Sequence, residues 1–179
     1  ADFKPDVVHV RTFLWQMSPL ILPLLRDFPS LYHVVSYKAI CPVGTKLLPS
    51  GRLCEVCAGV ACYRNGCLPA TLWPLMMLQQ KLCRRWGRVF NLVVTPSEAV
   101  RQRLTQEGID VAAVISEAIP ARSHRPPLVA PPTIGFAGRL TQEKGADLLL
   151  RAFAVVTQQI PDARLLIAGD GPERENLER

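Results

Sequence analysis

The chain has 179 residues, of which 49% are hydrophobic, 20% charged and 7% aromatic. This composition is typical of a globular protein, because a disordered chain is less apolar and a membrane bundle carries fewer charges. No apolar run in the sequence reaches the ~18 residues of a membrane-spanning helix. The net charge of +6 is compatible with nucleotides, anionic lipid surfaces or nucleic acid as partners and does not choose among them.

Strands and helices alternate along the first part of the chain. The predicted elements are a strand at 6–10, a helix at 18–27, a strand at 31–37, a helix at 69–90, a strand at 91–95, a helix at 97–107 and a strand at 111–115. Ser18 and Ser97 are predicted to cap their helices. The strand–helix–strand order favours parallel βαβ units, so the fold class is α/β.

The long helix predicted at 69–90 has two faces. Its apolar side carries Leu72, Leu75, Met76, Leu78, Leu82, Trp86 and Val89. Its basic side carries Lys81, Arg84, Arg85 and Arg88. The basic side is interpreted either as a solvated helix face or as a stripe that contacts an anionic membrane surface.

The next segment, 116–132, contains five prolines and is predicted to be a linker. It separates a first domain, residues 1–115, from a second, residues 133–179. In the second domain we predict strands at 133–137 and 164–168, a helix at 146–158 and a polar loop at 138–145. The Cys-rich stretch 41–68 is predicted to be a loop inserted in the first domain.

The polar loop carries a candidate phosphate site at the end of a strand. Gly138 allows the backbone to approach a ligand, Arg139 can grip phosphate oxygens through two N–H groups, and Lys144 adds a point charge. The helix that follows offers free backbone N–H groups. These features favour a diphosphate ligand; the alternative is a surface loop with two solvated cations.

Five of the six cysteines lie close together in sequence: Cys41, Cys54, Cys57, Cys62 and Cys67. Cys54 and Cys57 form a CxxC pair, and a tetrahedral thiolate site needs four sulfurs at about 2.3 Å from the metal. We expect Cys54, Cys57, Cys62 and Cys67 to hold a structural zinc or another thiophilic metal, with Cys41 as an alternative ligand. Reduced thiols and disulfides remain open alternatives.

Several motifs resemble glycosyltransferase family 4. They are Gly138-Arg-Leu-Thr-Gln-Glu-Lys-Gly145, Ala146-Asp-Leu-Leu-Leu-Arg-Ala-Phe153, Ala163-Arg-Leu-Leu-Ile-Ala-Gly-Asp-Gly-Pro-Glu173, and upstream Asp6-Val-Val-His-Val10 and Thr95-Pro-Ser-Glu-Ala-Val100. The resemblance implies the GT-B fold, here as two incomplete Rossmann-like domains. It also implies a retaining transfer of sugar from a nucleotide-diphosphate sugar to an acceptor.

By this resemblance Gly138, Arg139 and Lys144 bind the donor diphosphate, and Gly169 and Gly171 form a glycine turn beside the donor. Some members carry a similar cysteine insert, which favours a structural role for it. The family often has His-x-His where this chain reads His9-Val10-Arg11 and His-Asp where it reads Val35-Ser36. The catalytic residues therefore stay unassigned, and His33 is interpreted as structural.

The expected acceptor is a cell-envelope glycan or a lipid-linked sugar, and the expected location is the cytoplasm or the inner face of the membrane. The family's acidic donor-sugar motif lies further downstream than Arg179, so we expect the chain to be an inactive part of a longer enzyme. Two rival interpretations are a zinc-containing nucleic-acid-binding module and a fold fragment that binds nothing. Against the first, the aromatic residues are not interleaved with the basic ones, so no nucleic-acid partner is expected.

Overall fold

A computed structural model describes residues 3–14, 17–120, 127 and 130–179. The chain divides into two compact units, residues 1–119 and 120–179. The division falls within the segment 116–132 that the sequence predicts as a linker. No helix among the described residues is long and apolar enough to cross a membrane.

The first unit is built on a parallel four-stranded sheet. Its strands are β1 (Val8–Val10), β2 (Ser30–His33), β3 (Leu92–Thr95) and β4 (Ala113–Val114), in the order β1-β2-β3-β4. The register pairs Val10 with Tyr32 and Tyr32 with Val93. Parallel pairing of all four strands confirms the predicted α/β class.

Helical segments connect these strands. They are α1 (Val60–Arg64), α2 (Trp73–Trp86) and α3 (Glu98–Gln106), with 3-10 helices at Pro19–Leu25, Tyr37–Ala39 and Gly87–Val89. The predicted caps are present, since the hydroxyl of Ser18 accepts from Leu20 and that of Ser97 accepts from Val100. The first connection is a 3-10 rather than an α-helix, and Pro23 inside it has no backbone N–H to donate.

Two clusters of buried side chains form the core of this unit. One contains Val34, Ile40, Leu104 and Val111, between the sheet and α3. The other contains Phe13, Leu14, Leu22 and Phe90. Tyr32 and Val93 contact both clusters, so the middle of the sheet holds the connections together.

The apolar face predicted for residues 69–90 packs against the core only in part, through Trp86 and Val89. Leu75 and Leu78, expected to face inward, are 58% and 52% exposed. The buried residue is instead Gln80, whose amide donates to the carbonyl of Lys38 at 2.9 Å. Gln80 is buried, although it is polar, because its side chain satisfies a buried main-chain carbonyl.

The second unit contains β5 (Thr133–Ala137) and β6 (Arg164–Ala168), which pair in parallel over their whole length. Its helices are α4 (Ala146–Gln159) and α5 (Arg174–Leu177), with a 3-10 turn at Gln142–Lys144. Both strands have the predicted bounds. Leu140 and Ala146 are its buried apolar residues among those described.

Candidate functional site

The strands β5 and β6 end side by side, and the loops that follow them are bonded together. The N–H of Gly138 donates to the carbonyl of Ala168 at 3.0 Å, and that of Leu140 donates to Asp170 at 2.9 Å. A Cβ on Gly169 would overlap the carbonyl oxygen of Gly138. The predicted glycine turn thus has a packing reason, because a side chain at this position would push the two loops apart.

Arg139 lies in the first of these loops, next to buried Leu140. Its side chain is 75% exposed, and its guanidinium lies 3.5 Å from the carboxylate of Glu143. A hydrogen bond from its own backbone amide, with the charges of Arg139 and Lys144, lowers the pKa of the Glu143 carboxyl. Glu143 is therefore an ionised partner that holds Arg139 at the strand end and that a phosphate oxygen could replace.

The start of α4 lies directly after these cations. Lys144 ends the 3-10 turn, and Gly145 adopts a left-handed backbone with φ +69° before the helix begins at Ala146. The left-handed residue sets the direction of the helix, whose first-turn N–H groups have no intrahelical acceptor. The structure thus gathers Gly138, Arg139, Lys144, Gly169 and Gly171 at the carboxyl ends of parallel strands, where such sheets bind ligands.

Residues 122–179 match the family model of group 1 glycosyl transferases. Two relatives match parts of the chain: an alpha-D-kanosaminyltransferase of Streptomyces kanamyceticus, 40% identical over 48 residues, and an uncharacterized glycosyltransferase of Methanocaldococcus jannaschii, 46% identical over 41 residues. These matches cover 27% and 23% of this chain and only 12% and 10% of the relatives. The second unit is thus similar to glycosyltransferases, as predicted, and the similarity concerns a small part of each relative.

A polar cluster lies at the carboxyl edge of the sheet in the first unit. The rings of His9 and His33 stack with centroids 5.8 Å apart, and Arg11 forms an ion pair with Glu117. Burial and the charges of Arg11 and His9 lower the pKa of His33, against the opposite effect of Glu117. Its Nε2 atom is buried without a hydrogen-bond partner among the described residues. The lowered pKa favours the neutral imidazole, whose Nε2 atom is closed off from solvent.

The sequence interpretation missed this cluster. It took His33 as structural and Arg11 as a departure from a family motif. The available signal was position, because both residues lie at or just after the ends of strands that pair with each other. Such positions are where parallel sheets place functional side chains.

The predicted basic stripe is divided in the structure. All four cations of the stripe are exposed, as predicted, but Arg84 donates to Glu107 at 2.8 Å, so its charge is already paired. Arg85 and Arg88 instead line a surface cavity together with Arg26 and Trp86. Arg26 comes from the end of the first 3-10 helix, and helical periodicity within α2 could not have identified it.

The cysteines also group differently from the prediction. Cys41, Cys54, Cys62 and Cys67 line one small cavity, whereas Cys57 is exposed and lies outside it. The cysteines around this cavity thus include Cys41, the predicted alternative ligand, and not Cys57. Burial, then the nearby Cys62, Cys54 and Cys41, raise the pKa of Cys67. Among the described residues, no three His, Cys, Asp or Glu side chains converge closely enough to hold a metal ion as they stand.

Proposed function

We propose that this chain is part of a retaining glycosyltransferase of the GT-B type that uses a nucleotide-diphosphate sugar. The observation that carries the proposal is the pair of hydrogen-bonded loops at the strand ends of the second unit. Arg139 is exposed in the first of these loops. The similarity of residues 122–179 to group 1 glycosyl transferases supports it.

In the proposed reaction the bond between the anomeric carbon of the sugar and the diphosphate oxygen breaks, an acceptor hydroxyl oxygen bonds to that carbon on the same face, and the hydroxyl proton passes to the leaving diphosphate. Negative charge then develops on the leaving diphosphate. Arg139 and Lys144 stabilise that charge, and the first-turn N–H groups of α4 add to their effect. Arg139 exchanges its pairing with Glu143 for phosphate oxygens, so its position is set before the donor binds.

We assign the acceptor to the first unit. The His9, Arg11, His33 and Glu117 cluster provides hydrogen-bonding groups suited to sugar hydroxyls at the carboxyl edge of the sheet. Its charged pair is exposed, with side chains 49% and 58% accessible, so a ligand can reach it. We propose a cell-envelope glycan or a lipid-linked sugar as the acceptor.

A lipid-linked acceptor agrees with the surface of α2. Leu75 and Leu78 are exposed on the same side of the helix as Lys81 and Arg85, three and seven residues from Leu78. Apolar side chains beside cations are typical of a helix at a membrane interface. We propose that this surface and the cavity lined by Arg26, Arg85 and Arg88 contact anionic lipids on the inner face of the membrane.

Donor binding tests the central proposal. We expect calorimetric titration of the full-length protein with UDP and GDP to detect binding of one of them. Arg139→Ala should weaken it by about 1.5–3 kcal/mol, the range for charge-assisted hydrogen bonds. The matched control is Arg151→Ala, which removes an exposed arginine on α4 that pairs with Asp147. Unchanged affinity in the Arg139→Ala, Lys144→Ala double variant would contradict the assignment.

A further inference from the structure

The cavity between Cys41, Cys54, Cys62 and Cys67 is built from distant parts of the first unit. Cys41 follows the 3-10 helix Tyr37–Ala39, and Cys54 follows a bridge between Leu47 and Leu53. Cys62 lies within α1, and Cys67 comes just after it, with its N–H bonded to the carbonyl of Cys62 at 2.9 Å. Four sulfur-bearing side chains from three stretches of chain thus surround one space.

The size of this space restricts what it can hold. The cavity is about 10 Å³, which is the room needed by roughly one water-sized occupant. A cluster of several metal ions with bridging sulfides does not fit without a large expansion. The remaining lining is mostly apolar, with Val43, Leu47, Val56 and Ala61, and Asn65 is its polar member.

A backbone N–H group points at the sulfur of Cys41. In the turn Cys41-Pro42-Val43-Gly44, the N–H of Gly44 points at the Cys41 sulfur at 3.4 Å. Gly44 has φ +94°, a backbone conformation that glycine adopts without strain. The turn therefore holds the Cys41 side chain in place at the cavity wall.

Two buried lysines lie beside this segment. Lys38 donates to the carbonyl of Pro42, and Lys46 donates to that of Val56 at 2.8 Å. These carbonyls belong to residues one or two positions from Cys41 and Cys54. Four thiolates around a divalent ion carry a net charge of −2, and the Lys38 ammonium next to Cys41 offsets part of it, whereas Lys46 is paired with Glu107.

We propose that Cys41, Cys54, Cys62 and Cys67 bind a single thiophilic divalent ion, Zn²⁺, in a closed structural site. Binding requires the sulfurs to move inward to about 2.3 Å from the ion. Metal coordination supplies the free energy for that closure. The segment gains from it, since few of residues 41–68 are buried: Cys41, Pro42, Lys46, Cys62 and Leu68.

The matched variants are Cys54→Ser and Cys62→Ser against Cys57→Ser and Cys83→Ser. We expect the native protein and both controls to contain about one zinc per chain by elemental analysis, and the two site variants to lose it. Replacement by Co²⁺ should give sulfur-to-cobalt charge-transfer absorption in the controls only. Loss of zinc in Cys57→Ser, or native protein without zinc, would overturn the proposal.

A second measurement remains decisive if the site variants fail to fold. Alkylation of the native chain, mapped by mass spectrometry, should modify Cys57 with or without a chelator. Cys41, Cys54, Cys62 and Cys67 should react only after chelation, while the parallel sheets stay folded by circular dichroism. Ready alkylation of these four before chelation, or disulfides among them, would contradict a metal site.

Discussion

The ammonium of Lys46 lies 3.1 Å from a carboxylate oxygen of Glu107, and each of these side chains is only 7% exposed. The other carboxylate oxygen of Glu107 accepts from Arg84 at 2.8 Å. One carboxylate at the end of α3 therefore connects the Cys-rich segment to α2. Lys46 has a left-handed backbone with φ +54°, and this pairing helps to offset the strain.

We expect Glu107→Gln to lower the free energy of unfolding by about 3 kcal/mol, because it leaves the Lys46 ammonium buried without a counter-charge. Urea denaturation measures the change. Arg84→Gln is the matched control, and it should cost less than about 1 kcal/mol because the Arg84 side chain is 46% exposed. Equal losses in the two variants would show that burial of Lys46 does not set the cost.

Gly169→Ala should destabilise the second unit by at least about 2 kcal/mol, because the added Cβ overlaps the backbone carbonyl of Gly138 and the loops cannot stay bonded. Gly135→Ala, on β5, is the control, since a Cβ there meets no atom within 4 Å. Thermal unfolding compares the two. A control as damaging as Gly169→Ala would contradict the proposed close approach of the loops.

Replacing Lys81 and Arg85 by Ala should reduce binding to anionic vesicles by about 1 kcal/mol per cation. Co-sedimentation with vesicles of anionic or neutral lipid measures this, and binding should fall as salt rises. Arg64→Ala with Arg101→Ala removes two exposed cations elsewhere on the first unit and should leave binding unchanged. Equal pelleting with both kinds of vesicle would support a merely solvated face.

The lowered pKa of His33 gives a pH dependence with a definite sign. Between its folded value and the unfolded value of about 6.5, the unfolded chain binds more protons. The free energy of unfolding should therefore fall as the pH drops through this window. His33→Gln should flatten that part of the profile, measured by urea denaturation across pH. NMR titration should find a higher His33 pKa in Arg11→Met, because Arg11 contributes to the lowering; an unchanged value would contradict this cause.

Cys83 should react slowly with alkylating reagents. Burial raises the pKa of its thiol to about 11, although nearby Lys38 acts in the opposite direction. Little thiolate is then present at neutral pH, and the thiolate is the reactive form. Exposed Cys57 serves as the fast internal reference in the same experiment. Modification of the two at similar rates would show that Cys83 is not protected.

The sequence predicts most accurately the short strands that are mainly apolar and are bounded by turn residues. The strands 133–137 and 164–168 have the predicted bounds because each is a short, mainly apolar segment between turn residues. Hydropathy predicted the inward face of α2 only in part. Trp86 contacts the core as expected, but Gln79 and Gln80 donate to main-chain carbonyls of Leu14 and Lys38. Their acceptors lie far away in sequence, so no local periodicity contains them.

For the candidate sites too, features within one stretch of sequence can be predicted, whereas contacts between distant stretches cannot. Arg139 and Lys144 belong to one continuous loop, and a linear motif is sufficient to locate them. Which cysteines meet depends on how residues 41–68 fold. The CxxC spacing therefore favours Cys57, whereas Cys41 lines the cavity in the structure. The Arg26, Arg85 and Arg88 cavity joins two helices, and only their packing reveals it.

The pairing of β2 with β3 affects how fast the first unit folds. The N–H of Ser30 donates to the Asn91 side chain at 2.8 Å across a sequence separation of 61 residues. Closing a chain of that length costs entropy before any sheet contact offsets it. Contacts within the 3-10 helix Pro19–Leu25 and within α2 and α3 are local by comparison. The central strand pair should therefore form late, and the rate of its formation should limit how fast the first unit reaches its native state.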